Sequence, residues 1–190
     1  MSRSPRHAEL VEQLAELFLA EGFAAFGVGD LAARLRCSRS TLYLVAPSKE
    51  QLVQVVLRAW FRGAAERIEA RVARAGGPAA ALRTYLNAVA EELAPASPAF
   101  YADLAAHPPA AAVYAENTEH AARRVQELVR DGVRAGELRR VDAAFVGAAV
   151  AQLMHAIQRG AIGEATGLDD ARAYRRLADL VLDGLRVRSG

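Results

Sequence analysis

The chain has 190 residues, with 24 Lys+Arg against 22 Asp+Glu, and 53% of it is hydrophobic, alanine alone supplying 43 residues. That is enough for one or two small domains, and six Phe, five Tyr and one Trp with few β-branched runs argue against a sandwich or barrel. The single cysteine, Cys37, excludes an internal disulfide and a cysteine-based zinc cluster, and a net charge of +2 does not by itself mark a nucleic-acid binder.

Glu9, Glu12 and Glu16 interrupt the first segment, so it does not read as a secretion signal and the expected location is the cytoplasm. Ser4-Pro5 instead reads as a cap and first position of a helix, with Leu10, Leu14, Leu17 and Phe18 at helical spacing until Gly22. A second, two-turn helix follows from Val28 to Leu35 with Gly27 at its cap, and a third, capped by Ser38, reaches Leu44 before Pro47. Ser48 to Gln51 has the spacing of a capping box, and a long fourth helix runs on to Ala75. Gly76-Gly77-Pro78 opens a fifth through Leu93, and Ser97-Pro98 caps a sixth. Pro108-Pro109 starts a seventh that ends near Gly136. Asp142 and Asp169 cap two more, ending near Gly163 and Val187. The weakly charged stretch from Ala143 to Gln158 is shorter than the roughly 20 residues of a bilayer span and reads as a buried helix. The expectation is an all-α chain of nine helices without a strand.

Three short helices followed by a long one suggest a DNA-reading unit attached to a larger helical body. Arg36-Cys37 make a tight turn, and Ser38, Arg39, Ser40, Thr41 and Tyr43 then offer small hydroxyls, one guanidinium and one phenol, a set suited to a major groove, while Leu42 faces inward. Net charge over residues 1 to 50 is zero. Yet Arg34, Arg36, Arg39 and Lys49 lie in a stretch, Leu31 to Lys49, that contains no acid. Such a surface can meet phosphates, the lesser alternative being arginines that merely solvate a helical hairpin.

The residues Glu16-Leu17-Phe18, Glu21-Gly22-Phe23, Val28, Asp30-Leu31-Ala32, Ser38, Thr41-Leu42-Tyr43 and Pro47-Ser48-Lys49-Glu50 together resemble the N-terminal signature of the tetracycline-repressor (TetR) family, over about residues 6 to 57. The remaining two-thirds resemble it only in length and helix count. The resemblance implies a homodimeric, ligand-responsive transcriptional regulator, usually a repressor, that binds palindromic double-stranded operator DNA and needs no cofactor. A helix-turn-helix domain would occupy residues 1 to 50, and a helical effector-binding and dimerisation domain residues 51 to 190. The expected DNA contacts are Gly27, Arg36, Ser38, Arg39, Ser40, Thr41, Tyr43 and Lys49, the last as a phosphate clamp. Three positions depart from the family pattern. Gly27 replaces a capping hydroxyl residue, so a phosphate contact passes to a backbone amide or is lost. Arg36 replaces a turn glycine, where φ > 0 is wanted. Leu44-Val45-Ala46 replaces polar and aromatic residues ending in Phe, which leaves a smaller plug between the third and fourth helices. Either DNA affinity suffers or Trp60 or Phe61 fills the gap.

Gly27-Val28-Gly29-Asp30-Leu31-Ala32 also matches a dinucleotide fingerprint, but a helix precedes it and no βαβ pattern surrounds it. His7, His107, His120 and His155 are too scattered for a metal site, and no nucleophile elbow or phosphate loop occurs, so nothing supports an enzyme. In the body, Tyr85, Phe100, Tyr101, His107, Tyr114, Asn117, Gln152 and Met154 are polar and aromatic residues on Ala- and Leu-rich helices. They are candidates for a pocket holding a small apolar or aromatic effector, or else ordinary core and surface. Phe145, Ala149, Ile157, Leu177, Leu180, Val181 and Leu185 form apolar stripes on the last two helices, where a symmetric dimer interface is expected. The competing reading is an all-α small-molecule-binding or scaffold protein that has lost operator recognition.

Overall fold

The structure is a computed structural model that describes residues 5–187, with Pro5 and Ala171 by their backbone alone. Ten helices follow in order: α1 (Pro5–Glu21), α2 (Val28–Arg34), α3 (Arg39–Val45), α4 (Lys49–Val72), α5 (Pro78–Leu93), α6 (Pro98–Ala106), α7 (Pro108–Arg134), α8 (Ala143–Gln158), α9 (Ala161–Thr166) and α10 (Asp170–Leu185). The described residues contain no strand beyond one isolated antiparallel bridge between Leu138 and Arg186. None of their helices is long and apolar enough to cross a membrane.

Local chemistry sets most boundaries. Ser97, Asp142 and Asp169 each accept backbone N–H groups at the starts of α6, α8 and α10, from Phe100, from Ala144 and Phe145, and from Arg172. The cap expected from Ser4 lies outside the described residues, as does Arg3. The eighth helix does not run to Gly163. It stops at Gln158 because Gly160 takes the left-handed conformation (φ 77°), and six residues of α9 follow as a separate turn of helix.

The chain forms two compact units that do not follow chain order. One contains the chain up to Gly63 together with Pro95–Tyr114, and the other Ala64–Ala94 with Ala115 onward. In the first, Leu14, Phe18, Phe23, Leu31, Leu42, Val56 and Phe100 are almost wholly buried. Their rings meet edge to face: Phe23 lies 6.4 Å from Phe100, and Trp60 6.3 Å from Phe100. In the second, aliphatic and alanine side chains such as Leu82, Ala88, Val125, Val129, Ile157, Ala173 and Ala178 fill the interior, and α10 packs on α5 and α8. Bidentate pairs fix the outside of this unit, Arg67 to Glu92 between α4 and α5 and Arg124 to Glu69 between α7 and α4.

Candidate nucleic-acid interface

The helix-turn-helix is built from two caps and a tight turn. Gly27 has no side chain to cap α2. Asp30 instead reaches back, its carboxylate accepting from the Gly27 N–H at 2.8 Å. At the other end Cys37 N–H donates to the Ala32 carbonyl (2.9 Å) and Arg36 N–H to that of Ala33 (3.2 Å), a paired C-terminal cap that requires the residue between to be left-handed. That residue is Arg36, with φ of 50°, and it is the sole non-glycine with positive φ among the described residues. The departure from glycine therefore leaves a left-handed turn held with strain. Ser38 then caps α3, accepting from Thr41 N–H at 3.1 Å, with its hydroxyl 2.7 Å from that of Ser40 and 2.8 Å from that of Thr41.

At ~100° per residue the seven residues of α3 sort themselves. Leu42 is 1% exposed and anchors the inward face, where Thr41 and Val45 are half-buried. Arg39, Ser40, Tyr43 and Leu44 point outward, Tyr43 being 50% and Leu44 82% exposed. Leu44 thus contributes nothing to a plug behind the helix, since it lies ~200° round from Leu42. Ala46, 4% exposed, takes that place alone. Nor do Trp60 and Phe61 fill the gap. They lie fourteen and fifteen residues beyond Ala46, far along α4, where Phe61 stacks 5.3 Å from Tyr114 and Trp60 meets Phe100.

The four cations have different tasks. Arg34 makes a bidentate pair with Glu21 (2.6 and 3.0 Å), which raises its pKa further, and lies over the Phe26 ring. It holds α2 against the end of α1. Lys49 donates to the Ala24 carbonyl at 2.8 Å, tying the start of α4 to the α1–α2 loop and leaving two further N–H groups for a phosphate. Arg36 and Arg39 are exposed. The Arg39 guanidinium lies over Gly29, where a Cβ would come within 2.6 Å of it. Arg36 also lines an open cleft of about 390 Å³ with Arg6, Glu9, Gln13, Cys37 and Thr41, between α1 and the turn.

A feature not evident in the sequence is how the α1–α2 loop is fixed. Gly22 ends α1 with φ of 78°, and the Asp103 carboxylate on α6 accepts from the next two N–H groups, Phe23 (2.5 Å) and Ala24 (2.8 Å). Ser97 N–H donates to the Leu19 carbonyl, and the His107 ring meets Phe23 edge-on at 5.7 Å. Nothing in the spacing pairs residues eighty apart. The only hint was the carboxylate on the otherwise apolar α6.

The candidate effector residues divide. Phe100, Tyr101, His107 and Tyr114 belong to the first unit, where the three larger rings pack on one another and His107 caps α7, its Nδ1 accepting from Ala110 N–H at 3.2 Å. In the second unit Tyr85 and Met154 come together, lining with Leu86, Val125, Tyr174 and Leu177 a space of about 20 Å³ for the centre of a water-sized sphere. Burial, chiefly, and then Glu69 push the Tyr85 phenol well above its ordinary pKa. Asn117 is half-buried and Gln152 exposed. Beside this space Gln158 donates to Thr118 Oγ1 (3.1 Å) and to the Tyr174 hydroxyl (3.0 Å), a polar group the sequence did not single out. Of the apolar stripe on α8 and α10, Ile157, Leu177 and Leu185 are buried in their own unit. Ala149 and Val181 are half-buried, and Phe145 and Leu180 are 71% and 66% exposed.

Residues 10–56 match the family model described as bacterial regulatory proteins, tetR family. The whole chain is similar in fold to the ketosteroid transcriptional regulator KstR2 of Mycobacterium tuberculosis (19% identity, 98% of each chain, TM-score 0.60). It is also similar to the TetR family transcriptional regulator PfmR of Thermus thermophilus (24% identity, 94% of this chain and 99% of that one, TM-score 0.63). A third likeness is to the fatty acid degradation regulator FadR of Bacillus halodurans (15% identity, 99% and 100%, TM-score 0.71). No curated protein matches the chain.

Proposed function

We propose that this chain, whose residues 10–56 match the model of the tetR family of bacterial regulatory proteins, is a DNA-binding repressor that holds a palindromic operator as a homodimer and leaves it when a small effector binds. The observation that carries the reading is the outward face of α3, where Arg39, Ser40, Tyr43 and Leu44 stand clear of the core in a stretch without a single acidic side chain. Arg39 reads a guanine edge or a phosphate, Tyr43 supplies a hydroxyl, Thr41 holds the Ser38 cap from the half-buried side, and Gly27, Arg36, Ser38 and Lys49 serve the backbone.

Dimerisation is supported by Phe145 and Leu180, two large apolar side chains left exposed on α8 and α10, helices that pack on each other. A self-complementary patch of this kind is satisfied by a two-fold axis. The effector reading is supported by the apolar space around Tyr85, Met154 and Tyr174, whose Tyr174 hydroxyl accepts from Gln158. At its present size the space admits about one water, so a ligand enters by parting α5, α7, α8 and α10. A cytoplasmic location follows from this role.

Binding of purified protein to a selected duplex tests the reading. Arg39→Ala is expected to lose roughly 1–3 kcal/mol of affinity if the guanidinium reads a base. Affinity unchanged at every salt concentration would remove Arg39 from the interface.

A further inference from the structure

We propose that Leu44 determines operator specificity by packing on the C5-methyl group of a thymine in the major groove. The inference rests on the reading of α3 as the recognition helix. Leu44 is the most exposed of the chain's exposed large apolar residues among those described, at 82%, and stands one helical turn from Ser40 on the outward face. It has no role in the core, which Leu42 and Ala46 supply on the opposite side. When α3 docks, an 82% exposed leucine on its outward face loses its water to the surface it meets.

Charge identifies that surface. From Leu31 to Lys49 every ionised side chain is a cation, so a phosphate-bearing partner is favoured over an apolar protein groove. Within the major groove the base edges present donors, acceptors and one apolar group, the thymine methyl. Leucine has neither donor nor acceptor. It cannot pair with a guanine or adenine edge, and placed against one it would strip water from polar atoms without replacing the lost hydrogen bonds. Methyl against methyl is the contact that lowers its free energy. Ser40, its neighbour one turn back, is a weaker discriminator because its hydroxyl lies 2.7 Å from that of Ser38 within the cap.

The test uses the full-length protein and a duplex enriched by it from random double-stranded DNA. Each thymine of a half-site is replaced in turn by deoxyuridine, which removes the methyl and nothing else. At one position per half-site this substitution is expected to weaken binding about fourfold, the worth of one buried methyl-sized group. Leu44→Ala should weaken binding to the thymine duplex at least as much and show no further loss with deoxyuridine there. Its thermal melt should match that of the parent, since the side chain is exposed. Uniform tolerance of deoxyuridine, or a penalty that persists in Leu44→Ala, would overturn the proposal. Failure to enrich any sequence would instead overturn the recognition-helix reading beneath it, a result distinguishable from selective binding without methyl dependence.

Discussion

The two compact units solve the packing problem with different residues. The unit that carries the helix-turn-helix is closed by interlocked rings, Phe18, Phe23, Trp60, Phe61, Phe100, Tyr101 and Tyr114, and by the Asp103 carboxylate on the α1–α2 loop. The other unit relies on Leu, Val and Ala and leaves a small space beside Tyr85 and Met154. Rings with edge-to-face contacts fix one arrangement, which under the proposed function holds the outward face of α3 in place. Aliphatic and alanine side chains lack that directional geometry, which under the proposed function suits a unit that parts for a ligand.

Breaking the aromatic side should cost most. Phe100 is 0% exposed and touches the rings of Phe23, Trp60 and Tyr101, so Phe100→Ala is expected to lower unfolding free energy by about 3–5 kcal/mol in a denaturant titration. Asp103→Ala leaves two backbone donors without their carboxylate and should cost about 2 kcal/mol, with faster amide exchange at Phe23 and Ala24. Exchange rates unchanged there would show that solvent substitutes for the carboxylate. The contrast sharpens with small-to-large changes. Ala110→Val, at a fully buried site in the first unit, should cost about 1–3 kcal/mol, whereas Val89→Ile beside the space in the second should stay within about 1 kcal/mol. Equal penalties would remove the distinction. Smallest of all, Arg36→Gly should relieve the left-handed strain and gain about 0.5 kcal/mol, the remainder being offset by the freer unfolded chain. If Arg36 also meets a phosphate, the same variant should lower the salt slope of DNA binding by about one counterion.

These elements were legible in the sequence to different degrees. Helix starts at Pro78, Pro98, Asp142 and Asp169 follow from local capping chemistry, which a sequence displays directly, and so does the strain at Arg36, because the turn geometry is dictated within six residues. The end of α8 at Gly160 is ambiguous in the sequence because Gly163 lies three residues on and both are glycines that can stop a helix. The exposure of Leu44 is also legible in the sequence, as its two-residue offset from Leu42, whereas its place in the run Leu44-Val45-Ala46 suggests filler. By contrast Asp103 on the α1–α2 loop, and the meeting of Gln158 with Thr118 and Tyr174, join residues far apart in the chain. Such pairings emerge only once helices have packed.

The most direct measurement is the enrichment of random double-stranded DNA by the purified full-length protein, followed by sedimentation of the protein with the selected duplex. The expected result is an inverted repeat whose half-site centres are roughly 34–36 Å or a multiple apart, bound by two chains per repeat. A single unrepeated site, a lone chain on the duplex, or no enriched sequence at all would contradict a two-fold repressor that reads its operator through α3.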